Sequence, residues 1–364
     1  MHDAKSSLAL FHQYPLIKEH IPRVSIGNLP TPVQPLNRMG YNNLWIKRDD
    51  LSSSVYAGNK VRKLAFILAD VQAKQKTHII TPGGIGTHHG LATTIFGNRL
   101  GMHTTLVLFK QPLTDNVKQT MLLFIRFDAS LIYKKTLLHA MLWYYSFGRI
   151  RFPGAYYLYP GGSNPIGTIG YVDAAFELCQ QIRSGEMPQP DIIFCPLGSG
   201  GTLAGLALGF SLAGLPVPVI GVRVSPARLG LIPATTIGTV TNLMKQTYAY
   251  LKKADPNLPE PAWKPPPILD AYLGDGYGHP TPTGMAAYHK MKDTEGIVLD
   301  PTYTAKTLAA VLDYCDSSNT SVQTVLFWNT YNGVDLTDKA ASANYKMLPE
   351  PLQKLFLTET VRIV

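Results

Sequence analysis

An alternation running through most of the chain constrains its fold more than any other feature: short apolar runs take turns with stretches of helical spacing. Val61, Leu64, Ala65, Leu68 and Val71 mark one face of a helix, and the run His78–Thr81 after them reads as a strand. The cycle repeats with a helix over 90–100, stopped by Gly101, and a β-branched strand over 104–109. Helices over 117–127, 137–146, 168–183, 202–213 and 301–316 then alternate with strands over 129–133, 155–159, 191–195, 219–224 and 324–330. Apolar strands alternating with helices predict parallel sheets covered by helices, an α/β architecture. With 364 residues, the chain is long enough for two domains. The rhythm breaks between Asp255 and Pro267, where six prolines predict an extended connection.

Composition narrows the function classes. Hydrophobic residues make up 45% and charged residues 16%, a balance that excludes disorder. Lys and Arg number 33 against 24 Asp and Glu, giving a formal net charge of +9. The densest basic groups are only pairs, such as Lys47-Arg48 and Lys252-Lys253, and no stripe or known module marks a nucleic-acid surface. The charge suits anionic small molecules. Cys179, Cys195 and Cys315 form neither a disulfide framework nor a zinc spacing, which fits a reducing cytoplasm. Met1 to Leu10 lacks the order of a secretory signal, and the most apolar stretch, over 191–224, is broken by glycines and by Pro216 and Pro218. A soluble cytoplasmic chain is expected, with no nucleic-acid or membrane partner.

Five motifs carry chemistry. Pro196-Leu197-Gly198-Ser199-Gly200-Gly201-Thr202 lies between a strand and an apolar helix. Small residues at such a turn expose N–H groups at the positive end of a helix, where an anion such as phosphate is stabilised. The competing reading is a tight turn that needs glycine only for its dihedrals. The motif has neither the lysine of a nucleoside-triphosphate loop nor dinucleotide spacing. The second motif, Ala57-Gly58-Asn59-Lys60-Val61-Arg62-Lys63-Leu64, puts Lys60 at a helix start among positive charges. Those charges and partial burial predict a lowered pKa and a nucleophilic amine. Beside a phosphate cradle, Lys60 becomes a candidate Schiff-base lysine for a phosphorylated aldehyde cofactor.

The third motif, Gly83-Gly84-Ile85-Gly86-Thr87-His88-His89-Gly90, stands Thr87 and two histidines at a helix N-terminus. The histidines lack a third ligand and a metalloprotease spacing, so no metal is expected. Gly276-Tyr277-Gly278-His279-Pro280-Thr281 and Leu299-Asp300-Pro301-Thr302-Tyr303-Thr304-Ala305-Lys306 each place a tyrosine at a loop–helix junction.

In this order, and with Gly161 to Val172 reading GGSNPIGTIGYV, the motifs resemble those of the tryptophan-synthase-β-like (fold type II) pyridoxal-phosphate enzymes. Within them the chain is similar to the branch holding D-cysteine desulfhydrase and 1-aminocyclopropane-1-carboxylate (ACC) deaminase. The likeness runs from about Leu29 to about Thr330. It implies that Lys60 holds pyridoxal 5'-phosphate and later moves the Cα proton. It also implies that Gly198, Ser199, Gly200, Gly201 and Thr202 bind the phosphate, and that Tyr277 and Tyr303 flank substrate or ring. Thr304 would meet the ring nitrogen, where ACC deaminases carry a glutamate. The family's Ser-Asn-His is here Thr87-His88-His89, so Thr87 keeps the hydroxyl while His88 replaces the amide that touches the ring hydroxyl. The family's His-Thr-Gly-Gly is here Asn329-Thr330-Tyr331-Asn332.

The resemblance implies a large cofactor-binding domain from residues 1–60 plus 170–364, a small domain from 61–169, and a cofactor between them. The activity implied is a lyase or deaminase on a small amino acid, D-cysteine desulfhydrase-like, with ACC deaminase as the in-family alternative. A catalytically silent pyridoxal-phosphate-binding protein is the alternative from another class, and a homodimer is expected. Since imidazole titrates near pH 6.5 and an amide does not, His88→Asn should flatten the acidic limb of the pH–rate profile and shift the cofactor's visible band. Both stay unchanged if His88 only packs against His89.

Overall fold

The computed structural model describes residues 8–229, 232–317 and 323–360. The chain divides into two compact units, one formed by the chain up to Phe66 with Ser163–Val334, the other by Ile67–Gly162 with the chain from Asp335 onward. The first unit holds a six-stranded sheet in the order Val33–Pro35, Leu44–Arg48, Val325–Asn329, Ile192–Leu197, Val219–Arg223, Ile268–Leu269. Every neighbouring pair is parallel except the first. The second unit holds an all-parallel sheet in the order Ser130–Lys134, His103–Phe109, His78–Gly84, Tyr156–Tyr157. These are the parallel, helix-covered sheets expected from the alternation.

The central strands of the first sheet, Ile192–Leu197 and Val325–Asn329, are buried at every position. Their side chains alternate between two cores, as strand geometry requires. Leu326 and Trp328 pack with Val172 and Leu203, whereas Val325 and Phe327 pack with Ala305 and Leu308. Helices Pro165–Arg183 and Gly201–Leu212 approach closely because Gly205 and Gly209 lack side chains. A Cβ on Gly205 would lie 2.4 Å from Tyr171 Cβ, and one on Gly209 2.6 Å from the Val172 carbonyl.

The unit boundaries differ from the domains that the resemblance implies, in which everything after residue 170 belongs to the large domain. The segment after Val334 groups instead with Ile67–Gly162. Gln119 Nε2 donates to Thr337 Oγ1 at 3.0 Å and Lys118 Nζ to the Thr358 carbonyl at 2.9 Å, fastening this segment to helix Asp115–Arg126. The six-proline connection carries no helix or strand. Helix Ile237–Ala254, absent from the sequence reading, buries Val240, Leu243, Met244, Thr247 and Leu251 along one face and begins with a Thr236/Thr239 capping box. No described helix is long and apolar enough to cross a membrane. Cys179 and Cys195 are buried free thiols and Cys315 a half-buried one; burial pushes them up to about 11, 12 and 11 respectively.

A buried ionic cluster ties the first unit together. Arg62 donates to Asp49 Oδ1 at 2.9 Å and to both Glu177 oxygens at 2.8 and 2.9 Å, and Lys47 Nζ meets Glu177 Oε1 at 2.5 Å. The other Asp49 oxygen accepts from Tyr171 Oη at 2.7 Å and Trp328 Nε1 at 2.8 Å. Two cations thus face two anions, and the neighbouring Arg62 and Lys47 hold the Glu177 carboxyl down at about 2 despite its burial.

Asp173, one helical turn before Glu177, behaves oppositely. Burial and the Glu177 charge push its carboxyl up to about 6, while it accepts the Leu10 N–H at 3.0 Å. Its folded-state pKa lies above its unfolded value, so stability falls as pH rises through the window from about 4 to about 6. Asp173→Asn keeps an acceptor for Leu10 and removes that penalty. It should raise stability by about 1–3 kcal/mol at pH 7.5, and the gain should vanish near pH 4 in thermal melts.

Candidate active site

Three chain segments of the first unit converge at the carboxyl ends of the parallel strands, the usual ligand side of an α/β sheet. Strand Ile192–Leu197 leads into the glycine turn and helix Gly201–Leu212. Gly200 takes φ 88°, a left-handed conformation that a side chain would strain. Strand Leu44–Arg48 leads through Asp49–Leu51 toward helix Asn59–Ala73, whose second residue is Lys60. Strand Val325–Asn329, between those two in the sheet, ends in Thr330, whose carbonyl accepts the Asn59 N–H at 3.1 Å. Gly58, with φ 87°, lets the chain pass there, since a Cβ would come within 2.7 Å of that carbonyl.

The glycine turn is built as an anion cradle. Ser163 Oγ sits at its centre, accepting from Gly201 N at 3.1 Å and Lys63 Nζ at 3.1 Å and bonding Ser199 Oγ at 2.7 Å. A Cβ on Gly201 would come 2.6 Å from Ser163 Oγ and 2.9 Å from Lys63 Nζ, so the turn must be glycine for these donors to converge. Asn59 bridges the cradle to the lysine, donating to Thr202 Oγ1 at 3.3 Å and accepting from Lys60 Nζ at 3.0 Å. Backbone N–H groups, three hydroxyls and the Lys63 amine at a helix N-terminus suit a phosphate dianion. The site therefore fits pyridoxal phosphate: the cradle would hold the phosphate and Lys60 the aldehyde carbon.

Burial pushes the Lys60 amine down to about 8, and Asp300 pulls it part of the way back. The sequence names two causes, neighbouring positive charge and partial burial. In the structure Arg62 is met by Asp49 and Glu177, so burial carries the effect and charge does not. Lys63 is driven well below its ordinary value by burial and by Lys60. The sequence reading gave Lys63 and Ser163 no role. Their signal was the spacing of Lys60 and Lys63, three apart and hence on one helix face, and the serine of the Gly161–Val172 motif.

Tyr303 Oη donates to Tyr277 Oη at 2.8 Å, with ring centroids 5.9 Å apart in an edge-on arrangement. A Cβ on Gly198 would lie 3.0 Å from Tyr303 Cε1, so this tyrosine stands over the cradle. Burial raises both phenols, keeping them protonated at neutral pH, and Tyr277 retains a proton to offer elsewhere. Thr304 is fully buried, and its hydroxyl donates to Asp300 Oδ2 at 2.9 Å while accepting the Asp300 N–H at 2.9 Å. Its proton is thus spent, and toward a ring nitrogen Thr304 can act only as an acceptor. Asp300 also takes the N–H groups of Thr302, Tyr303 and Thr304, which is why helix Thr304–Asp316 starts three residues later than its sequence pattern. Thr87 and His88 belong to the second unit, where Thr87 Oγ1 accepts from Gly90 N at 3.1 Å as the cap of helix His88–Arg99. Asn332 Oδ1 accepts the Ala57 N–H at 2.7 Å, so the altered 329–332 segment braces the loop before Lys60. No cluster of three metal-ligating side chains occurs among the described residues.

The family model described as pyridoxal-phosphate dependent enzyme matches residues 24–330. This chain belongs to that family. It is a pyridoxal-phosphate-dependent enzyme of α/β fold. A Klebsiella pneumoniae (strain 342) D-cysteine desulfhydrase is 31% identical over 303 residues, covering 80% of this chain and 88% of the relative. A Thermotoga maritima protein provisionally named as a 1-aminocyclopropane-1-carboxylate deaminase is 31% identical over 310 residues, covering 82% and 94%. The crystal structure of an ACC deaminase homologue superposes with a TM-score of 0.75 at 27% identity, covering 94% of this chain and 99% of that one.

Attachment of the cofactor aldehyde requires the neutral form of Lys60. Reconstitution of the apoprotein with pyridoxal phosphate, followed by absorbance, should therefore accelerate as pH rises, with a midpoint near 8. Asp300→Asn should move the midpoint lower. A midpoint near that of an exposed lysine, about 10.4, contradicts the assignment.

Proposed function

We propose that this chain is a lyase that removes a β-substituent from a small amino acid, with D-cysteine as substrate. One D-cysteine and one water would give pyruvate, sulfide and ammonia. Bound pyridoxal phosphate withdraws electrons from the substrate Cα, which makes its proton removable. The chain's residues supply the rest. The cradle of Ser163, Ser199, Thr202, Lys63 and the Gly200–Gly201 backbone anchors the phosphate. Lys60 would take the Cα proton; an amine held near 8 suits a general base working around neutrality. Tyr277, oriented by Tyr303, offers a hydroxyl proton to the substrate.

The observation that carries elimination over ring opening is the chemistry at the start of helix Thr304–Asp316. By the resemblance, the position that would face the ring nitrogen is the neutral Thr304, and the adjacent carboxylate, Asp300, is spent on four donors. A threonine oxygen can accept an N–H from the ring but brings no charge of its own to balance it, so the protonated ring, the stronger electron sink that opening a cyclopropane demands, is supported less than by a carboxylate in direct contact. Relatives carrying both activity names support the substrate class. Three free thiols support a working place in the reducing cytoplasm. We also propose a homodimer as the working form.

Purified protein should be yellow and should release pyruvate and sulfide from D-cysteine faster than 2-oxobutanoate from ACC. Faster turnover of ACC overturns the reading. A yellow protein that turns over neither substrate favours a silent binding protein.

A further inference from the structure

The segment between Leu269 and Pro282, which carries Tyr277, forms neither helix nor strand. Gly274, Gly276 and Gly278 adopt φ of 61°, 128° and 83°, conformations that leave the backbone little steric guidance. Its own backbone bonds are weak: Leu273 N to Asp270 O and His279 N to Gly276 O are both 3.4 Å. Apart from the ion pair of Arg223 with Asp270 at its start, the shorter bonds reach it from helix Thr304–Asp316 and the residue before it. Tyr303 Oη donates to Tyr277 Oη at 2.8 Å, Lys306 Nζ to the Leu273 carbonyl at 2.7 Å, and Asp313 Oδ2 accepts from Tyr272 Oη at 2.8 Å. Positions 303, 306 and 313 share one helical stripe, so one rigid element holds the segment at three points.

Lys306 is the unusual member. It is fully buried, and its ammonium points at two carbonyls, Leu273 and, at 3.3 Å, Gly276. Desolvation pushes it down to about 8, with Asp300 and Asp275 pulling the other way. Burying an ammonium is costly, and a methionine would fill the space without that cost. What a methionine lacks is the pair of hydrogen bonds that brackets Tyr277 from its N-terminal side.

We infer that Lys306 is a positioning residue for the reaction: by tying the Leu273 and Gly276 carbonyls to the helix behind Tyr303, it fixes the Tyr277 hydroxyl as a donor to substrate. Lys306 touches neither cofactor nor substrate in this role and acts through Tyr277. The inference rests on the proposed use of Tyr277 in the reaction. Misplacing a reacting group by about 1 Å can cost two orders of magnitude in rate, so a loosened segment should be kinetically visible.

The test compares wild type with Lys306→Met, both loaded with pyridoxal phosphate. Cofactor absorbance and affinity should stay unchanged, because Lys60 and the cradle are untouched, while kcat/KM for D-cysteine falls about tenfold or more. The Lys306→Met/Tyr277→Phe double variant should be no slower than the slower single variant, since both remove the same donor. Amide hydrogen exchange should accelerate over residues 270–281 and not over 198–203. Lys306→Gln, which keeps one donor, should fall between wild type and Lys306→Met, and serves if the methionine variant does not fold. Wild-type kcat/KM, multiplicative losses in the double variant, or loss of cofactor together with activity each overturn the inference. A wild type that binds no pyridoxal phosphate overturns the functional reading instead, and the exchange comparison on the cofactor-free chain still decides whether Lys306 holds the segment.

Discussion

The guanidinium of Arg62 is the interaction on which the rest of the first unit depends. It lies two residues after Lys60 and one before Lys63, on the opposite side of the helix. Locking Arg62 onto Asp49 and Glu177 fixes the rotation of the helix about its axis. With that phase set, Lys60 and Lys63 can only face the glycine cradle. The same cluster reaches strand Leu44–Arg48 through Lys47, helix Pro165–Arg183 through Tyr171 and Glu177, and strand Val325–Asn329 through Trp328. Removing one partner of a buried pair leaves an uncompensated charge, at a cost of about 3–5 kcal/mol. The cluster is fully enclosed, so that cost would fall on the geometry of the site as well as on stability.

Much of the architecture was legible because parallel sheets write themselves as apolar runs, and the strands over 104–109, 191–195 and 324–330 were found within one or two residues. Lys60 and the Gly198–Thr202 turn were legible for a different reason: an anion cradle needs consecutive small residues, and few other structures do. What escaped was non-local. Nothing in the order of residues says that Lys47, Asp49, Arg62 and Glu177 meet, since Arg62 and Glu177 stand 115 positions apart. Lys63 reads from the sequence only as a positive charge beside Lys60, and its place in the cradle shows once Ser163 and Gly201 come to its side chain. Of the two causes the sequence suggests for the low Lys60 pKa, burial holds and charge does not, because nothing in the order of residues shows that Arg62 is met by Asp49 and Glu177. The segment after Val334 groups with Ile67–Gly162 through ties that the order of residues does not announce, since Gln119 to Thr337 and Lys118 to Thr358 join distant parts of the chain.

The site divides its labour between polar groups that are free and polar groups that are spent. Asp300 gives its oxygens to the backbone and to Thr304, so its charge acts at a distance, lifting Lys60 without bonding it. Tyr303 gives its proton to Tyr277, which leaves a single directed donor where two equivalent phenols would have competed. Such commitments are what preorganise a site before its ligands arrive, because each spent proton removes an orientation that substrate binding would otherwise have to select.

The three thiols have a bearing on survival in the presence of the proposed product. Sulfide oxidised by dioxygen becomes polysulfide, whose sulfane sulfur is attacked by protein thiolates with a shorter polysulfide leaving, and a thiol that holds its proton is a poor nucleophile for that exchange. Cys179, Cys195 and Cys315 are all pushed well above an ordinary thiol by burial, and Cys195 stays there although Lys63 pulls it down. A chain that generates reactive sulfur would thereby keep its own sulfur chemically silent, with no exposed thiolate to be persulfidated during turnover.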